Sequence, residues 1–197
     1  MALPVGPQIR GSVIKPVRAW VKATYGESVY QAGLAALEED ERVLIMGSIL
    51  PSSTYPLLSW DKFLAGVRIA VKAKTGESEA VFDMRNMRES AAGVLQSLFG
   101  FVLGLMSPVS AVPKVSAVFN RVYSVGKCQV VENGPGRAVL RFVDADPLMK
   151  ENLSHHFPAG IALILELNGA KDIHSVVSKM GEVTGRLFVE ATVTYKA

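Results

Sequence analysis

Residues 90–113 read SAAGVLQSLFGFVLGLMSPVSAVP, without one charged side chain, and this stretch decides the fold. From Ala91 to Met106 it is apolar nearly all round, so a helix here is buried on most sides. Gly93, Ser97, Gly100 and Gly104 follow at i, i+4, i+7 and i+11 and line one helical face. Leu95, Leu98, Phe99, Val102, Leu103 and Met106 project around the remainder. Each glycine costs roughly 1 kcal/mol against alanine inside a helix, so the small face needs an outside compensation. Three uses are open: close packing of another backbone, a small apolar ligand, or a helix contact with another molecule. The Gly100–Gly104 spacing also raises a membrane span. Sixteen residues rise only about 24 Å against a hydrocarbon core of roughly 30 Å, and Gln96 lies inside. The expectation is a buried helix and no stable membrane span.

Residues 1–9, with Pro4 and Pro7, predict an extended arm ahead of one domain over 10–197. Gly11-Ser12 opens a helix on which Val13, Val17, Trp20, Val21 and Thr24 recur at helical spacing, and Tyr25-Gly26 ends it. Pro16 is expected in its first turn. Residues 28–37 predict a second helix. Glu38-Glu39-Asp40-Glu41 complements the dipole of a short third one over 41–46. Residues 49–56, with Pro51 and Pro56, read as a stiff loop, and Ser59 as the cap of a helix ended by Gly76. Pro113 is placed at the start of another helix, with Val115, Val118, Phe119, Val122 and Tyr123 inward.

At Gly126 the period changes to alternation. Residues 127–132 and 137–143 flank Asn133-Gly134-Pro135-Gly136 as a hairpin. Residues 147–167 are helical, with a break expected at Pro158, and 173–180 with 186–195 form a second hairpin. In the last strand Leu187, Val189, Ala191, Val193 and Tyr195 share one side. So long an alternation without proline belongs inside a sheet. Phe188 is the apolar exception on the polar side. The fold class is α+β. A helical part over 10–125 precedes a four-stranded antiparallel sheet over 126–197, built strand-strand-helix-strand-strand.

The 197 residues are 49% hydrophobic and 20% charged, which suits a globular chain with a generous core. A net charge of +3 with 8% aromatic residues gives no argument for nucleic acid. The one cysteine, Cys128, excludes an internal disulfide framework and offers no metal-knuckle spacing. The start, MALPVGPQIR, has no basic segment before an apolar run, so a signal peptide is not expected and a cytoplasmic setting is. No G-x-S-x-G, H-E-x-x-H or G-x-x-x-x-G-K-S/T occurs, so a non-enzymatic role is expected.

The order of elements resembles the fold shared by heme-NO/oxygen-binding (H-NOX) domains and the smaller vinyl-reductase-like ligand-binding domains. Gly11-Ser12-Val13-Ile14 followed by Val21-Lys22-Ala23-Thr24-Tyr25-Gly26-Glu27 is similar to the family's first helix and its Y-G-E ending. Residues 50–56, Arg121-Val122-Tyr123-Ser124-Val125-Gly126 and residues 163–169 resemble an uncharacterised family of about this length on the same fold, expanded in myxobacteria. The resemblance implies a ligand-binding or signalling domain of H-NOX-like fold. Heme in that fold needs a proximal histidine on a helix ahead of the sheet, and here the histidines are His155, His156 and His174. The tyrosine-x-serine-x-arginine motif for heme propionates is also missing, as are the cysteines that vinyl-reductase-like domains carry at the last hairpin. No cofactor is therefore expected.

The candidate ligand site is the small face Gly93, Ser97, Gly100 and Gly104 with Phe119 and Tyr123. Lys15, Arg18 and Lys22, at i, i+3 and i+7, form a basic stripe, either a solvated face or a dock for an acidic partner. His155 and His156 point about 100° apart on a helix and make no two-ligand face, so no metal site is expected. Asp144 and Asp146 before Pro147 suit capping. Two functions follow. One is a sensor or carrier that holds a small apolar ligand between helices and sheet, without heme. The other is a protein-interaction or signalling module, or a homodimer, with a filled core.

Overall fold

Prolines shape the entry to the fold. The structure, a computed structural model, describes residues 6–91 and 106–196. The chain divides into two units, Met1–Val94 and Leu95–Ala197, so the helix expected after Pro113 belongs with the sheet. The helix expected over the charge-free stretch, with Gly93, Ser97, Gly100 and Gly104, lies outside the described residues except at its two ends.

In the first unit the expected arm and stiff loop pair with each other. β1 (Gln8–Arg10) runs antiparallel to β2 (Thr54–Pro56), with Ile9 opposite Tyr55. The restriction that proline places on its predecessor favours the dihedrals a strand needs, and Ile9 and Tyr55 are buried there. The end of the loop is thus strand. α1 (Gly11–Tyr25) has the expected bounds, but Pro16 lies inside it, beyond the first turn. α2 (Glu27–Ala35) and α3 (Glu39–Met46) follow. The Glu41 carboxylate accepts from the Glu38 N–H at 3.1 Å, which starts α3 two residues before position 41.

α4 (Leu57–Thr75) begins directly after Pro56. Ser59 is therefore no cap. It is buried within the helix, and its hydroxyl donates to Glu41 Oε1 at 2.9 Å. α4 buries Leu57, Trp60, Phe63, Leu64, Val67 and Val71, and it also buries Arg68. The polar side is satisfied from α5 (Glu79–Asn86), where Asp83 Oδ1 accepts from Arg68 Nε and Nη2, each at 3.0 Å. Both side chains are under 5% exposed, at 4% and 3%. A turn of π-helix, Met87–Ala91, continues α5, and Ser90 there donates to the Asn86 carbonyl at 2.6 Å.

In the second unit α6 (Pro108–Val122) starts earlier than position 113. Ser107 accepts from the Ser110 N–H and Pro108 takes the first turn, so Pro113 sits inside. The sheet holds β3 (Lys127–Gly134), β4 (Arg137–Ala145), β5 (Lys171–Val183) and β6 (Arg186–Lys196). Their order is β3-β4-β6-β5, every pair antiparallel, so the last strand is interior as its alternation predicts. Register shifts fall between Phe142 and Ala145 in β4, and twice in β5, between Lys171 and His174 and between Val177 and Lys179. α6 and α7 (Lys150–Leu167) pack on the sheet. α7 passes through Pro158 without the expected break. The one backbone bond lost is offset by the burial of Phe157, Ala159, Ile161 and Ala162 around it.

Two measurements check this architecture. Removing one partner of the buried pair strands a charge, so Asp83→Ala loses about 3–5 kcal/mol in urea unfolding, whereas the double variant Arg68→Met, Asp83→Leu recovers most of it. Gly126 has φ +84°, and a Cβ there would lie 2.2 Å from Phe142 Cε1. Gly126→Ala should therefore cost about 2–4 kcal/mol through strain and overpacking, read by the same unfolding curve.

Candidate functional site

The inner side of α6 meets α7 and β4 through four rings. Phe119 lies edge-on to Phe157 at 5.0 Å and to Phe142 at 6.5 Å. Tyr123 is nearly parallel to Phe119 at 6.1 Å and edge-on to Phe142 at 5.8 Å. The edge-to-face geometry sets positive ring edges against negative faces. Phe142 and Phe157 are fully buried, and the Tyr123 hydroxyl donates to Asn152 Oδ1 at 2.5 Å. Gly160 completes the fit, since a Cβ on α7 there would lie 2.8 Å from Phe119 Cζ. Phe119 and Tyr123 are thus brought together, with their faces against other rings. Gly93, Ser97, Gly100 and Gly104 lie outside the described residues.

The basic stripe is brought together as well. Lys15, Arg18 and Lys22 line one wall of a cleft of about 520 Å³, with Ala19 beside them and Gly47, Ser48, Ile49 and Leu50 opposite. Arg18 ties the walls: Nη1 donates to the Gly47 carbonyl at 2.9 Å and Nη2 to the Met46 carbonyl at 3.1 Å, satisfying the end of α3. Lys22 lies 3.3 Å from Glu27 and 4.0 Å from the centroid of Tyr30. The other end of α3 is held by Glu41, which accepts from Lys62 Nζ at 2.9 Å as well as from Ser59. Burial pushes the Glu41 carboxyl up, but the hydrogen bonds of Lys62, the Glu38 amide and Ser59, with the Lys62 charge, leave it below the ordinary carboxylate value.

The fold of these helices and sheet invites a test for heme, and the donor set does not fit it. No histidine precedes position 155, so no helix ahead of the sheet offers an imidazole. His155 is 3.8 Å from Glu151 on α7, His156 is buried on the same helix, and His174 is exposed on β5. Burial pushes the Cys128 thiol up to about 12, which keeps it protonated and a poor ligand at neutral pH. Among the described residues no three His, Cys, Asp or Glu side chains gather as a metal site, and no helix is long and apolar enough to cross a membrane. Asp144 and Asp146 make no working pair either. Asp146 caps the turn Pro147–Met149 by accepting from the Leu148 N–H, and Asp144 takes a left-handed φ of 54° at the irregularity of β4.

A polar network in the first unit left no trace in sequence. Trp20 Nε1 donates to Glu89 Oε2 at 2.7 Å across 69 positions, and the Tyr25 hydroxyl to Glu77 Oε2 at 3.0 Å across 52. Arg85 joins them, 2.8 Å from Glu89 and 3.8 Å from Glu77. Burial, then the Glu77 hydrogen bond and charge, push the Tyr25 phenol up to about 12. Such separations follow no local period, so no window of sequence reports them. Phe188, the exception of the last strand, also has its reason: a Cβ on Gly181, opposite it on β5, would lie 3.0 Å from its Cε1. The ring covers the bare backbone of the glycine.

No protein-family model and no curated protein matches the chain. Solved structures do match in fold. The Fe(II) unliganded H-NOX protein from K. algicida superposes with a TM-score of 0.68 at 10% identity, over 96% of this chain and 97% of that one. A point variant of Tt H-NOX gives 0.64 at 14% identity over 96% of both chains. An oxygen-binding H-NOX domain related to soluble guanylate cyclases gives 0.62 at 13% identity, again over 96% of both. The expected H-NOX-like α+β fold is therefore present.

The Glu41 contacts give a pH dependence with a definite sign. The folded chain holds this proton less tightly than the unfolded chain, so the stabilisation is complete above the ordinary value of 4.5 and is lost as pH falls through the lower folded value. Glu41→Gln should cost about 1 kcal/mol near neutral pH, and its unfolding midpoint should converge with that of the natural protein in acid.

Proposed function

We propose that the chain is a non-enzymatic, heme-free sensor-type module on the H-NOX-like fold, working by protein interaction with the interior of its second unit filled by side chains. The observation that supports this most is the ring cluster of Phe119, Tyr123, Phe142 and Phe157, at centroid separations of 5.0–6.5 Å. Rings this close leave no layer between α6, α7 and β4 for a ligand as thick as another ring. The donor set, without an imidazole ahead of the sheet, argues against heme. The solved neighbours include an oxygen-binding domain and Fe(II) proteins, and a sensor-type role is carried over from that likeness of fold alone.

A second reading has its own support in the charge-free stretch. A small apolar molecule held along Gly93, Ser97, Gly100 and Gly104, beside Phe119 and Tyr123, would make the chain a carrier or ligand sensor.

Titration with hemin separates these readings from the heme proteins they resemble in fold: no Soret band should survive gel filtration, and a stoichiometric band that does survive would overturn the heme-free reading. Native mass spectrometry followed by thermal-shift measurement with fatty acids and isoprenoids decides between partner and carrier. The interaction reading expects no retained mass and no shift. A melting temperature that climbs with ligand concentration, lost in Gly100→Leu, would give the site to the carrier reading.

A further inference from the structure

The cleft beside α1 carries more than its size. Its lining includes three cations, Lys15, Arg18 and Lys22, and the nearby carboxylate of Glu27, outside the lining, stands 3.3 Å from Lys22. Lys15 and Lys22 are exposed, and they stand seven residues apart on one helix, about 10 Å or two turns. The opposite wall ends in Leu50, 58% exposed, and Met46, 52% exposed, directly precedes its first residue, Gly47. Exposed apolar side chains gathered next to a charged wall mark an interaction surface more than a solvated one.

The cations also set the chemistry of a partner. Two of the five N–H donors of Arg18 go to the Met46 and Gly47 carbonyls, which pins the guanidinium in the row with the two lysines. The result is a row of point charges beside an apolar rim. Carboxylates spaced along a helix match the first, and the apolar stripe of the same helix matches the second. We propose that this cleft docks a short, acidic, amphipathic helix of a partner protein, its Asp and Glu side chains against Lys15, Arg18 and Lys22 and its apolar face on Leu50 and Met46. The proposal rests on the reading of the chain as an interaction module, and it names that module's surface and the chemistry of its partner.

A displayed library of random peptides, about 16 residues long, is selected on the full chain at low salt. The enriched peptides should carry Asp or Glu at i and i+3 or i+4, with large apolar residues on the adjoining face. By fluorescence anisotropy they should bind the double variant Lys15→Glu, Lys22→Glu and the single variant Leu50→Ser at least about tenfold more weakly, and lose a similar factor between roughly 50 and 300 mM salt. Lys15→Glu alone, at an exposed position, repeats the test should the double charge reversal change the melting curve. Absence of enrichment, enrichment without acidic residues, or equal binding to the variants would overturn the proposal. So would lysine-dependent binding to phosphatidylserine vesicles with no peptide enriched, which would assign the cleft to a membrane surface. The hemin titration is independent of this surface. A Soret band with acidic peptides enriched defeats only the heme-free reading, whereas no band and no peptides defeats only the dock.

Discussion

The packing of four aromatic rings is the constraint on which the second unit depends. Phe119 comes from α6, Tyr123 from the residue that follows it, Phe142 from β4 and Phe157 from α7, so no two of these elements can shift without breaking an edge-to-face contact. The constraint propagates to the backbone. Gly160 must be bare where Phe119 meets α7, and Gly126 must be bare where the chain turns beneath Phe142 into β3. The interior position of β6 follows from the same core, because its alternate residues Leu187, Val189, Ala191 and Val193 are all buried.

The first unit is organised by a different interaction. α4 is apolar on most sides, yet it carries Arg68 inward, and that charge is tolerable only because Asp83 meets it with 3.0 Å contacts from α5. The pair fixes how α5 lies along α4. At the other end of α4, Ser59 and Lys62 hold Glu41 and so hold α3, while Arg18 reaches its last carbonyls from α1. The basic cleft is a by-product of this pinning: α3 stands where two polar clamps put it, with Val43 and Met46 exposed to water.

Periodicity made the sheet and most helices legible, because burial on one face writes itself into sequence at period two or near period four. The strands of the hairpins and the interior last strand came from that signal, while the bounds of α1 came from Gly11-Ser12 and the Tyr25-Gly26 stop. Starts of helices were harder. Ser59 looked like a cap but faces Glu41 from inside α4, and Pro113 looked like a first-turn residue although Ser107-Pro108 already supplied both signals. Pro158 was expected to break a helix that surrounding apolar burial keeps intact. Of the candidate site, the basic stripe was readable as a stripe, since i, i+3 and i+7 define a face. Its opposite wall, Gly47 to Leu50, was not, because nothing local links a loop to a helix some thirty positions away. The small face of the charge-free stretch was the strongest pattern in the sequence, and it lies outside the described residues.

β5 is an edge strand of 13 residues, and an edge that long is an open template for another chain. Its two register shifts divide the regular ladder into His174–Val177 and Lys179–Val183, runs of four and five residues. A strand laid against it from outside would fall out of step at Ser178, between the two runs. The irregularities therefore act as a guard against runaway stacking along the edge that carries the exposed Val176 and Val183.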